Sequence, residues 1–140
     1  MVIYVAIAVL IICFMIIVCN NNMVYKKQIT KSNLKRVESE VDEFLRIAGN
    51  DYLLDNAIDF NELSLEEKVN LYHDIHNRLN MSDYEDSTIQ EIKLIDKRFE
   101  NAKMNYEESI KKYNSHISKF PRYIIAKVFA NAKKLELVNL

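Results

Sequence analysis

Between Ile89 and Phe120 apolar residues recur at 89, 92, 95, 99, 102, 106, 110, 113, 117 and 120, in steps of three and four. That spacing lays one apolar stripe along a helix for about nine turns. Charged residues fill the gaps, among them Glu91, Lys93, Lys97, Arg98, Glu100, Lys103, Glu107 and Lys111. An amphipathic helix is held mainly by what its apolar face packs against, so this stripe needs partners. The pattern predicts a helix over 82–119. Ser82-Asp83-Tyr84-Glu85 has the form of a capping box at its start. Phe120-Pro121 ends it, because proline has no amide hydrogen and clashes with the preceding turn.

Three further stretches supply candidate partners. Ile29, Leu34, Val37, Val41, Phe44 or Leu45, and Ala48 recur at mostly helical spacing and predict a helix over 24–48. Gly49-Asn50 stops it, as glycine often does just past a helix end. Tyr52, Leu53, Leu54, Ile58 and Phe60 are packing candidates in the segment that follows. Ser64-Leu65-Glu66-Glu67 is a second capping box. It opens a helix over 64–79 with Leu65, Val69, Tyr72, Ile75 and Leu79 on one side, broken by Asn80 and Met81. Past Pro121, the residues Ile124, Ile125, Val128, Phe129, Ala132 and Leu135 predict a helix over 122–136 that folds back on the stripe. Short connections favour antiparallel neighbours.

The first 19 residues, MVIYVAIAVLIICFMIIVC, break this amphipathic pattern, with no charged side chain at all. As a helix they rise about 28 Å, close to the thickness of a bilayer's hydrocarbon core. No basic residue precedes the run and no small-x-small site follows it, so a retained transmembrane helix fits better than a cleaved signal. Ile16-Ile17-Val18 before Cys19 is bulky where a bacterial lipobox has small residues, which argues against lipidation. Lys26, Lys27, Lys31, Lys35 and Arg36 follow closely. By the positive-inside rule the N-terminus is then outside and the rest cytoplasmic. The expected fold is all-α: a transmembrane anchor over 1–22, then an elongated antiparallel helical bundle over 23–140. A helix this long also fits a parallel coiled-coil dimer.

Composition agrees with helices. One Gly and one Pro in 140 residues leave little for the turns a sheet needs. Net charge is −1, but unevenly spread: residues 37–108 hold 19 acidic against 7 basic groups, and 109–140 hold 7 basic against 1 acidic.

Candidate chemistry is sparse. His73-Asp74-Ile75-His76 places two histidines three apart, near enough to share a helix face, and imidazole suits Zn or Ni. A site needs a third ligand, for which Glu66, Glu67 or Asp83 are the nearest candidates. One glycine cannot build a phosphate loop, and no nucleophile elbow or basic-aromatic nucleic-acid surface is present. No catalytic, cofactor or metal residue is therefore assigned, and no small-molecule substrate is evident.

Ala102-Lys103, Tyr106-Glu107, Ile110, Tyr113-Asn114, Ile117, Phe120-Pro121, Ala126 and Phe129 together resemble the LemA family. Its pattern has two Tyr-Asn pairs, aliphatic residues between them, and Phe-Pro. Glu107 departs from it, the family's Leu-Ile-Pro-Asn-Leu motif is missing, and the chain is short for the family. The resemblance, to a short or divergent member, implies a membrane-anchored bacterial helical bundle. It brings no catalytic residue with it. The expected function is structural or protein-binding and not enzymatic, with the bilayer held through residues 1–19 and an unidentified protein partner. The alternative is a membrane-tethered metal-binding module or enzyme using His73 and His76.

Overall fold

A computed structural model describes residues 1–49, 58–59, 62–80, 84–119, 121–128, 130–138 and 140. The described residues form helices α1 (Val2–Ala48), α2 (Leu65–Arg78), α3 (Asp86–Ser118) and α4 (Arg122–Val128), without a strand. The apolar run and the first amphipathic stretch are thus one helix, uninterrupted at Asn20-Asn21-Asn22. Asn50, Tyr52, Leu53, Leu54, Phe60, Met81, the Ser82-Asp83 cap, Phe120 and Phe129 lie outside the described residues.

The chain divides into two compact units, one of residues 1–31 with 107–137, the other of 32–106 with 138–140. In the second unit the stripe is the core. Ile92, Ile95 and Phe99 are fully buried, and Ala102 and Tyr106 nearly so. Val37, Val41, Phe44 and Leu45 of α1 are also fully buried. From α2 come Val69, Tyr72 and Ile75. The Tyr72 ring lies 4.5 Å from that of Phe44 and 4.6 Å from that of Phe99, so one aromatic group joins all three helices.

Direction follows from contact order within this unit. Asn33 reaches Asn105 while Glu40 and Glu43 reach Arg98, so α3 runs antiparallel to α1. Tyr72 meets Phe99 while His76 meets Asp96, so α3 is antiparallel to α2 as well. Helices α1 and α2 therefore run the same way.

The Ser64 cap forms as its sequence predicts. The Ser64 hydroxyl oxygen accepts from the Glu67 amide, and the Glu67 carboxylate accepts from the Ser64 amide at 2.8 Å. The Ser64 hydroxyl also donates to the Glu67 carboxylate at 2.6 Å, and that bond first, then the one from the Ser64 amide, holds the Glu67 carboxyl below its usual range. Gly49 does not end α1 in the left-handed conformation that glycine usually adopts there. What requires glycine is space: a Cβ would lie 2.6 Å from the Leu45 carbonyl and 3.1 Å from Ile75.

In the first unit, Met23, Tyr113, Ile117, Ile125 and Ala126 form the core, with Ile16, Cys19, Ala130, Ala132 and Leu135 packed partly against it. Three expectations fail here. Ile29 is exposed, and Met23 and Thr30 are the buried residues of that stretch. Ile124 and Val128 are 49 % and 67 % exposed, leaving Ile125 and Ala126 as the packed face of α4. The predicted helix over 122–136 stops at Val128. Asn131 takes a left-handed φ of 43°, and the Ala132 amide donates back to the Ala126 carbonyl at 2.9 Å. From there Ala132 and Leu135 pack from irregular chain, because side-chain bonds from α3 replace the helical ladder.

Candidate functional site

Those bonds come from the Tyr-Asn motif. Asn114 donates its side-chain amide to the Leu135 carbonyl at 2.9 Å and accepts from the Leu135 amide at 2.9 Å. One side chain thus satisfies both backbone groups of a tail residue, as a neighbouring strand would. In the second unit the Tyr106 hydroxyl accepts from the Val138 amide at 3.4 Å, and Lys103 donates to the Leu140 carbonyl at 2.6 Å. Both side-chain bonds of Asn114 thus go to the tail.

The two histidines of the pair have different surroundings. His73 is exposed, with its pKa lowered first by partial desolvation and then by the Lys103 charge. His76 turns its Nε2 to Asp96 Oδ2 at 3.0 Å, and the other Asp96 oxygen accepts from the Tyr72 hydroxyl at 2.8 Å. Burial raises the Tyr72 pKa, and the bond to Asp96 and its charge add to it. The hydroxyl therefore keeps its proton and acts as a donor. Asp96 is the residue that sequence reading missed, because its partners lie twenty or more positions away. Among the described residues no group of three or more His, Cys, Asp or Glu could hold a metal ion, and Asp83 is not among them. The trio's evident chemistry is to tie α2 to α3.

Charged pairs line the same unit. Lys68, only 6 % exposed, contacts Asp42 at 3.0 Å and Glu38 at 3.6 Å. Arg98 contacts Glu40 at 2.9 Å and Glu43 at 2.8 Å. The Glu40 contact is close, but its angle is not that of a hydrogen bond.

The first unit has a different feature, a cleft of about 370 Å³ whose wall includes Lys26, Lys111, Lys112, His116, Lys119 and Arg122. Glu108 is the carboxylate in that wall, and Lys112 takes it at 2.8 Å. His116 Nδ1 faces the Arg122 guanidinium at 3.3 Å. The residue is 8 % exposed, and its Nε2 has no hydrogen-bond partner. Desolvation lowers the His116 pKa, and the charges of Arg122 and Lys26 lower it further.

The LemA family model matches residues 61–138. That span takes in α2, α3, α4 and the tail with its Asn114 and Tyr106 bonds. The chain belongs to the LemA family. The match reaches further towards the N-terminus than the Tyr-Asn and Phe-Pro residues that suggest it. No match was found among curated proteins or among solved structures.

Proposed function

We propose that this LemA protein is a single-pass membrane protein that presents a cytoplasmic helical bundle to protein partners, in a structural or binding role and not a catalytic one. One observation carries the anchor. Helix α1 contains an 18-residue apolar window, near the N-terminus, of which none is buried. Ile3, Leu10, Ile12, Phe14 and Ile17 are each more than half exposed. So continuous an apolar surface is far larger than a water-soluble protein leaves open. A bilayer covers it, and the helix satisfies its own backbone there. The basic residues after the window favour the cytoplasmic side for the bundle.

The non-catalytic reading is supported by how the polar groups are used. His76 and Tyr72 each bond to Asp96, and Asn114 holds the tail. Three experiments test the proposal. Alkaline extraction of membranes should leave the chain in the pellet; release into the supernatant would remove the anchor. With Cys13 and Cys19 replaced by Ser, an Asn70→Cys variant should resist an impermeant thiol reagent on intact cells. Labelling from outside would reverse the topology. Saturable Zn²⁺ binding that His73→Ala abolishes would replace the structural reading with the metal-module one. Cross-linking in native membranes is the route to the partner.

A further inference from the structure

The first unit holds ten basic and three acidic residues, a net of +7. Five of the ten cations line the one cleft of about 370 Å³. Among the described residues, the side chains of Lys26, Lys111, Lys119 and Arg122 form no ion pair. Like charges gathered in one concavity raise each other's energy and focus a positive potential there. An anion with several acceptor oxygens relieves that repulsion, and His116 already holds Arg122 towards it.

Position identifies the source of the anion. Lys26 stands seven residues beyond the end of the apolar run at Cys19, about 10 Å along the helix. The headgroup layer extends about 5–8 Å beyond the hydrocarbon core, and a lysine side chain spans the difference by snorkelling. In the same unit Ile16 and Cys19 pack partly against the cluster that holds Ile125 and Ala126 of α4. That contact sets α4 at the depth where the apolar run ends. Its outward residues suit that depth: Tyr123, Ile124 and Val128 are 51 %, 49 % and 67 % exposed, and Lys127 lies 5.9 Å from the centre of the Tyr123 ring. Aromatic, aliphatic and basic side chains together fit the boundary between headgroups and acyl chains. We propose that the cleft walled by Lys26, Lys111, Lys119 and Arg122 binds the phosphate of an anionic lipid in the leaflet where α1 leaves the membrane. This rests on the anchor reading for its choice of a lipid over a free phosphate.

The test uses the full chain in dodecyl maltoside micelles with ¹⁵N-labelled histidine. Dihexanoyl phosphatidylglycerol is added, with dihexanoyl phosphatidylcholine and inorganic phosphate as separate arms. The His116 ring signals should shift and saturate with phosphatidylglycerol and stay put with phosphatidylcholine. His73 and His76 serve as internal references. A Lys111→Gln, Lys119→Gln double variant, changed only at exposed positions, should weaken the response about 25-fold, since each lysine near an anionic surface contributes about fivefold. An unmoved His116 would overturn the site. An equal response to inorganic phosphate at the same concentration would overturn the lipid as its source, as would an equal response to phosphatidylcholine. The anchor reading fails separately: the micelle titration needs no bilayer, whereas alkaline extraction reads the anchor whatever His116 does.

Discussion

Residues 32–106 with 138–140 carry seventeen acidic and nine basic groups; residues 1–31 with 107–137 carry three and ten. The two units use those charges in different ways. In the acidic unit Lys68 and Arg98 each touch two carboxylates of α1. In the basic unit, among the described residues, the ion pair is Lys112 with Glu108, and other cations gather in a cleft. The acidic unit meets its buried charges from within. The basic unit leaves positive charge to be met from outside, and it is the unit that contains the apolar window.

The largest effects should come from the stripe that both units share. Phe99→Ala in the acidic unit should cost about 3–5 kcal/mol, and Ile110→Ala in the basic unit about 2–5 kcal/mol. Phe99 is fully buried and Ile110 is 3 % exposed. Denaturant melts of the full chain in micelles, followed by far-UV circular dichroism, measure both. A large loss at Phe99 with none at Ile110 would mean that only the acidic unit has a dry core.

Next in size is the tail. Asn114→Ala removes two hydrogen bonds to Leu135 and should cost about 1–3 kcal/mol. Limited proteolysis should then cut within 130–137 sooner than in the unaltered chain, with the acidic unit cut no faster. Unchanged cleavage would show that apolar packing of Leu135 suffices.

This tail also marks where sequence reading stops. The stripe was legible because every turn of α3 repeats one decision, inward or outward, and Ile92 through Ile117 keep to it. The Ser64 cap was legible because its partners are three residues apart. Asn114 with Leu135, Tyr72 with Asp96 and Lys68 with Asp42 join positions twenty or more apart, and no local period announces them. Ala132 and Leu135 misled for the opposite reason. Their spacing fits a helix face, but their burial comes from chain tied to α3. Ile124 and Val128 read as core because apolar residues in an amphipathic pattern ordinarily face protein, and spacing alone does not separate a packed face from an open one.

Titration sharpens the comparison. His116 in the basic unit and His73 in the acidic unit both have lowered pKa values, each first through desolvation and then through neighbouring cations. Acidification from about pH 7.5 to about 5.5 passes the ordinary histidine value near 6.5. The unfolded chain then takes up protons before the folded one. The stability these groups contribute is therefore complete above about pH 6.5 and is lost as pH falls towards the folded values. Melts should show that decline, and His116→Gln should flatten part of it. Phosphatidylglycerol should lift the His116 pKa by offsetting the Arg122 and Lys26 charges, while that of His73 stays unchanged. Equal shifts in both would mean a general surface effect of the lipid.

The smallest effects separate two lysines of the acidic unit. By spacing alone Lys97 and Lys103 are alike, solvated positions off the stripe, and surface substitutions of that kind change stability by less than about 0.5 kcal/mol. Lys97→Ala should do just that, since its side chain is exposed. Lys103 is half-buried and donates to the Leu140 carbonyl at 2.6 Å, so Lys103→Ala should cost about 0.5–1.5 kcal/mol. A second readout keeps the comparison clear of simple charge removal. Lys103 is one of the charges that lower the His73 pKa, so its loss should raise that pKa in a ¹⁵N titration, and the loss of Lys97 should leave it alone. Equal, small costs with no movement of His73 would show that the Lys103 ammonium points to solvent and that the chain end is held through Tyr106 alone. Equal, larger costs would trace to lowering the positive charge of a unit already at −8, and the bond to Leu140 would then contribute nothing of its own.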